Sequence, residues 1–125
     1  MNLMTMNEVE RYADNYENRE WMPLCEFARK HNWLMPCFAF AETTFDDQIK
    51  KIREEIEEVI KAHREYTSNE SEEARKNLLM ECADIQMCVE TLMYQLGTRH
   101  GERTRARRLV WEKNNDRDYF KKRKE

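Results

Sequence analysis

Residues 44–97 read TFDDQIKKIREEIEEVIKAHREYTSNESEEARKNLLMECADIQMCVETLMYQLG, and their spacing decides the fold. Thr44 is an N-cap residue, and Asp46 and Asp47 fall in the first turn, where carboxylates complement the helix dipole. Phe45, Ile49, Ile52, Ile56, Val59 and Ile60 then recur at three- and four-residue steps, which predicts an amphipathic helix to about Tyr66. Thr67–Glu70 is polar and supplies a turn. Ser71 followed by Glu72 and Glu73 caps a second helix, whose apolar stripe is Ala74, Leu78, Cys82, Ile85, Val89, Leu92 and Leu96. Gly97 ends it as an αL residue. Two long helices joined by a short turn must lie antiparallel, so the expected fold is an all-α helical bundle centred on this pair.

On the N-terminal side, Met6–Asn18 and Leu24–Asn32 are predicted as shorter helices separated by Pro23. An irregular stretch, Trp33–Thr43, follows. On the C-terminal side, Glu102–Lys113 is predicted helical and leads into a charged tail. The length of 125 residues is that of a single domain, expected here over 1–125. Two Gly and two Pro disfavour a turn-rich β fold, and three Trp, five Tyr and five Phe supply the apolar surface that disordered chains lack.

Charge is unevenly placed. Arg99–Glu125 holds eleven of the 22 basic and five of the 25 acidic residues, a balance of +6, so the first 98 residues carry -9 and the chain -3. This excludes a uniformly basic nucleic-acid coat, although Arg99–Lys124 is a basic stretch that generic nucleic acid would meet in a salt-dependent way. The acidic body makes nucleic acid the less expected partner. No apolar run approaches the roughly 20 residues that span a bilayer. Met1–Glu10 lacks the order of a signal peptide, so a cytoplasmic protein is expected. Cys25, Cys37, Cys82 and Cys88 form no CxxC and are read as reduced thiols. A zinc site from Cys25, His31 and Cys37 would lack both a fourth ligand and a common spacing.

The least expected feature is LLMECADIQMCV, Leu78–Val89, where Glu81 and Asp84 interrupt a mostly apolar run. An ionised carboxylate is costly to bury unless it is paired or bound to a metal. Facing it across the hairpin is IREEIEEVI, with Glu54, Glu55, Glu57 and Glu58. At about 100° per residue from Ile52, Glu55 lies near -60° and Glu58 near -120°, on one edge of an apolar stripe centred near +30°. Glu54 and Glu57 fall on the far side. Asp84 lies at about -60° from Glu81, again flanking the stripe. Antiparallel packing would therefore converge Glu55, Glu58, Glu81 and Asp84, whose mutual repulsion a divalent cation relieves. Oxygen ligands without a Glu-x-x-His pattern point to Mg²⁺, with Mn²⁺ as the variant, and to phosphoryl or nucleotidyl transfer to water.

EExxE at Glu54, Glu55 and Glu58, then ExxD at Glu81 and Asp84, preceded by Gln48 and Lys51 in QIKKIREEIEEV, resembles the MazG-like all-α nucleoside triphosphate pyrophosphohydrolases. The resemblance covers roughly Gln48–Val89. It implies Mg²⁺-dependent hydrolysis of a (d)NTP between the α and β phosphates, releasing the monophosphate and pyrophosphate. By the same resemblance Glu55, Glu58, Glu81 and Asp84 would be metal ligands and Glu54 an accessory carboxylate. Glu54, Glu55, Glu58 and Lys51 are thus the catalytic candidates, with Lys51 neutralising phosphate charge. By angle Gln48 and Lys51 lie on the metal-facing edge, and the resemblance makes them candidates for substrate contact. Family members also contact phosphates after the last core helix. KNNDRDY offers Lys113, Asn115, Arg117 and Tyr119 for that role, with compressed spacing, against the alternative of a solvated basic tail.

Trp33, Phe38 or Phe40 would supply a base-stacking surface, or fill the core. No Ser/His/Asp arrangement and no Gly-rich phosphate loop is present. The wide apolar stripes call for a partner surface, so a homodimer or tetramer is expected to complete the bundle. Two other functions stay open. One is a non-catalytic helical interaction protein; the other is phosphoribosyl-ATP pyrophosphohydrolase, of the same superfamily.

Overall fold

A computed structural model of the chain describes residues 34–122. The helices expected over 6–18 and 24–32, together with Cys25, His31 and Trp33, lie outside the described residues. All regular structure among the described residues is helical: a 3₁₀ turn at Phe38–Phe40, then α1 (Phe45–Ser68), α2 (Glu72–Gln95) and α3 (His100–Asp116). They divide into two compact units, the first ending at Gly97 and the second beginning at Thr98. None of the described helices is long and apolar enough to cross a membrane.

The first unit is the hairpin. Thr44 Oγ1 accepts from the Asp47 backbone N–H at 3.1 Å, and Ser71 Oγ accepts from Ala74 N–H at 3.0 Å, so both caps satisfy an otherwise orphaned donor. Helix α1 outlasts its apolar pattern by two residues. Thr67 stays inside it because its hydroxyl donates back to the His63 carbonyl, and the Asn69 N–H closes the last turn on Glu65 O at 3.0 Å. Gly97, at φ 79°, ends α2 and donates to Tyr94 O at 2.9 Å. The short link 69–71 turns the chain back so that α1 packs on α2. Gln48 meets Cys88 and Glu55 meets Asp84, the register of an antiparallel pair.

The apolar stripe is only partly covered. Among the described residues the buried apolar side chains are Ala62 and Cys88, while Ile56, Ile60 and Val89 remain 43%, 37% and 38% exposed. Buried polar groups take an unusual share of the hairpin interior: Gln48, Glu55, Glu90 and Thr91. Each such group needs a partner to offset its lost hydration.

In the second unit, α3 is longer than the expected 102–113. Its C-terminus closes on Asp118, which adopts the αL conformation at φ 58°. The Asp118 N–H reaches Asn115 O at 3.0 Å and the Tyr119 N–H reaches Asn114 O at 2.9 Å, the paired bonds of a Schellman turn. The Trp111 and Phe120 rings stack at 5.5 Å across it, which supplies the apolar contact that accompanies such turns. At the other end of the unit the Arg103 guanidinium is fully buried and donates to Thr98 O at 2.7 Å.

Candidate metal centre

The register that sets Gln48 against Cys88 brings the next two turns of α1 against the preceding turns of α2. Glu55, Glu81 and Asp84 each offer a carboxylate oxygen, and the three oxygens lie within 4.8 Å of one another, a set able to hold a metal ion. Glu55 is buried, Glu81 half-buried and Asp84 exposed. The fourth expected ligand, Glu58, stands outside this set: it is exposed and borders a small cleft shared with Glu81 and Asn77. Three residues at about 100° each leave it about 60° from Glu55 in angle and move it along the axis toward the hairpin turn.

Three carboxylates this close need compensating positive charge. Lys51, one turn before Glu55, places its ammonium 2.9 Å from Glu55 Oε1. This hydrogen bond holds the Glu55 carboxyl below its ordinary range despite burial, and it raises the Lys51 ammonium in return. Asp84 moves the other way. Withdrawal of its carboxyl from water, followed by the hydrogen bond to Glu55, raises it. Of the pair, Glu55 therefore gives up its proton the more readily and Asp84 holds it the more readily. Glu54 is exposed on the far side of α1, and its charge reaches Lys51 only as a minor influence.

A cavity of about 430 Å³ opens beside the carboxylates, lined among others by Phe40, Asp47, Lys51, Glu55, Asp84 and Cys88. Its outer wall is the segment before α1, tied to α2 by long-range hydrogen bonds. The Cys37 N–H donates to Thr91 Oγ1 at 2.8 Å, and that hydroxyl donates to Met87 O at 2.9 Å. Gln95 Nε2 donates to Thr43 O at 3.1 Å and to Thr43 Oγ1 at 3.2 Å. Phe38 packs edge-on against Tyr94 with ring centroids 5.1 Å apart, so it serves the fold. Phe40 is 59% exposed and faces the cavity.

Gln48 has a structural task in this arrangement. It is buried, and its Nε2 donates to Cys88 O at 3.0 Å, joining α1 to α2 at the cavity wall. The Cys88 thiol, buried beside Asp84 and Glu55, is pushed up to about 11 and remains protonated at neutral pH, which makes it a poor nucleophile. Lys113, Asn115, Arg117 and Tyr119 are all exposed in the second unit, where the Arg117 guanidinium lies 5.9 Å from the Tyr119 ring centroid.

Thr91 and Gln95 are site-building residues that sequence reasoning passed over. The signal for Thr91 was its place one turn beyond Cys88, on the edge of α2 that also carries Asp84. Comparison of the chain with protein-family models, curated proteins and solved structures finds no match.

Proposed function

We propose that the chain is a Mg²⁺- or Mn²⁺-dependent nucleoside triphosphate pyrophosphohydrolase of the MazG-like kind, acting on a canonical or damaged (d)NTP in the cytoplasm. The observation that carries this reading is the convergence of Glu55, Glu81 and Asp84 beside a cavity into which Lys51 also opens. An oxygen-only donor set suits a hard divalent cation, which keeps several waters and takes its remaining ligands from phosphate oxygens. Bound there, such a cation supplies Lewis-acid chemistry at a phosphoryl oxygen and favours deprotonation of water.

The chain's own residues do the rest. Glu55, Glu81 and Asp84 hold the cation, with Glu58 and Glu54 as outer carboxylates. Lys51 carries the positive charge nearest the cavity and balances the phosphates. Phe40 offers a ring face to the base; for Lys113, Asn115, Arg117 and Tyr119 the family resemblance alone offers a role at phosphate. The partly covered stripe of Ile56, Ile60 and Val89 supports a homodimer or tetramer, since this face is apolar and accessible. The same exposure is what favours the second reading, a helical interaction protein without turnover. Against it stands the buried carboxylate of Glu55, which an interaction surface does not require.

The experiment is pyrophosphate release from a panel of ribo- and deoxyribonucleoside triphosphates, with and without Mg²⁺, for the wild type and Asp84→Asn. Mg²⁺-dependent release that Asp84→Asn abolishes is expected. Absence of release from every nucleotide by the folded wild type transfers the assignment to the interaction protein.

A further inference from the structure

Lys51 and Glu55 differ sharply in freedom. The lysine side chain is 51% exposed and the glutamate side chain 10%, yet their charged ends meet at 2.9 Å. The carboxylate is fixed in the hairpin interior, whereas the lysine stem can swing into the cavity that both residues line. On the reading that the carboxylate cluster holds a divalent cation, which this inference presupposes, Glu55 has two competing positive partners. An ammonium at hydrogen-bond distance from a ligand oxygen repels a dication bound to that oxygen.

We infer that Lys51 is a positioning residue that alternates between two anions: it neutralises Glu55 while the carboxylate cluster lacks a cation, and it turns to the substrate phosphates in the adjoining cavity when a cation takes Glu55. The ammonium remains charged throughout, so the change is one of place. Two events are thereby tied together. Leaving Glu55 frees Lys51 for phosphate, and engaging phosphate frees Glu55 for the cation, so each ligand raises the affinity for the other by the same factor.

The test is calorimetric titration of Mn²⁺, without nucleotide, into the full chain as wild type, Lys51→Met and Lys50→Met. The last removes an equal charge from an adjacent exposed position on the same helix. Lys51→Met is expected to bind Mn²⁺ about three- to fivefold more tightly than wild type, the scale of a partly exposed ion pair, and Lys50→Met within about twofold of it. Unchanged or weaker binding by Lys51→Met overturns the inference, as does equal tightening in Lys50→Met. If none of the three proteins binds Mn²⁺, the metal centre itself falls and the lysine's role falls with it. Binding at equal affinity removes the lysine's role alone. Should Lys51→Met not fold, the wild type carries a second readout in the ¹⁵Nζ signal of Lys51. That signal is expected to move on adding Mg²⁺, and a signal unmoved at saturation overturns the inference.

Discussion

The hairpin centre and the turn after α3 both carry residues proposed for nucleotide contact, and they are built on opposite plans. In the hairpin, partners come from distant parts of the chain: Glu55 with Asp84, Gln48 with Cys88, Cys37 with Thr91. In the turn after α3 they are neighbours: Tyr119 with Asn114, Arg117 with Tyr119, Lys121 with Asp118. Long-range convergence makes each group depend on a partner far away in the chain, so that the loss of one leaves another unpaired. Local contacts at an exposed turn leave each side chain solvated, and its removal stays a private event.

The largest contrast is catalytic. Glu55→Gln is expected to lower kcat for pyrophosphate release by about 100-fold or more, the scale for losing one preorganised electrostatic group. Steady-state kinetics over a Mg²⁺ series would check the cause, since a lost ligand also raises the Mg²⁺ concentration needed for half-maximal rate. Next comes stability. Thr91→Val keeps the side-chain volume but leaves the Cys37 N–H without its acceptor, so urea denaturation should report a loss of about 2 kcal/mol. A loss below a few tenths would mean that the segment before α1 is held by other means.

Arg117→Ala should act more weakly and on a different constant. A charge-assisted phosphate contact predicts about a tenfold rise in KM with kcat unchanged. An unaltered KM would return 113–119 to a solvated basic tail and sharpen the contrast with the hairpin.

The smallest effect concerns pH. Asp84 is raised, so the folded chain binds this proton more tightly than the unfolded chain; the stabilisation is present at acid pH and is lost as pH rises through the raised value. Glu55 is lowered, and its contribution is present above the ordinary carboxylate range and lost as pH falls through the lowered value. Asp84→Asn removes the first and leaves the Lys51 hydrogen bond, the largest cause of the second, in place. Without metal it should be more stable than wild type at neutral pH, and the advantage should shrink as pH falls through the raised value of Asp84 and be gone once pH lies below the ordinary carboxylate range. Addition of Mg²⁺ should stabilise the wild type and not the variant. Urea midpoints that coincide at neutral pH would break the assignment.

Much of the hairpin was legible because a helix turns sequence spacing into angle. Thr44, Ser71 and Gly97 mark their helix ends by their own chemistry, and Glu55 and Asp84 meet on the edge that a step of about 100° per residue assigns them. Angle alone does not say how far apart two residues on one edge lie along the axis, and Glu58 accordingly stays outside the cluster of three. Nor does it name a partner. Gln48 points toward the site as its angle requires, and there it meets the Cys88 carbonyl. The choice between Phe38 and Phe40 was not legible, because the segment that carries them has no repeat and takes its course from Thr91 and Gln95.

That segment grips α2 largely through its own main chain. Thr91 takes the amide of Cys37 and Gln95 takes the carbonyl of Thr43, two atoms that every non-proline residue provides. Between these moorings the ring contact to α2 comes from Phe38, so Phe40 can change without loosening the wall of the cavity, while the carboxylates across from it are held by mutual dependence. A lineage of such chains would diversify first at position 40, exchanging the group that overlooks the cavity and leaving the centre beneath it untouched.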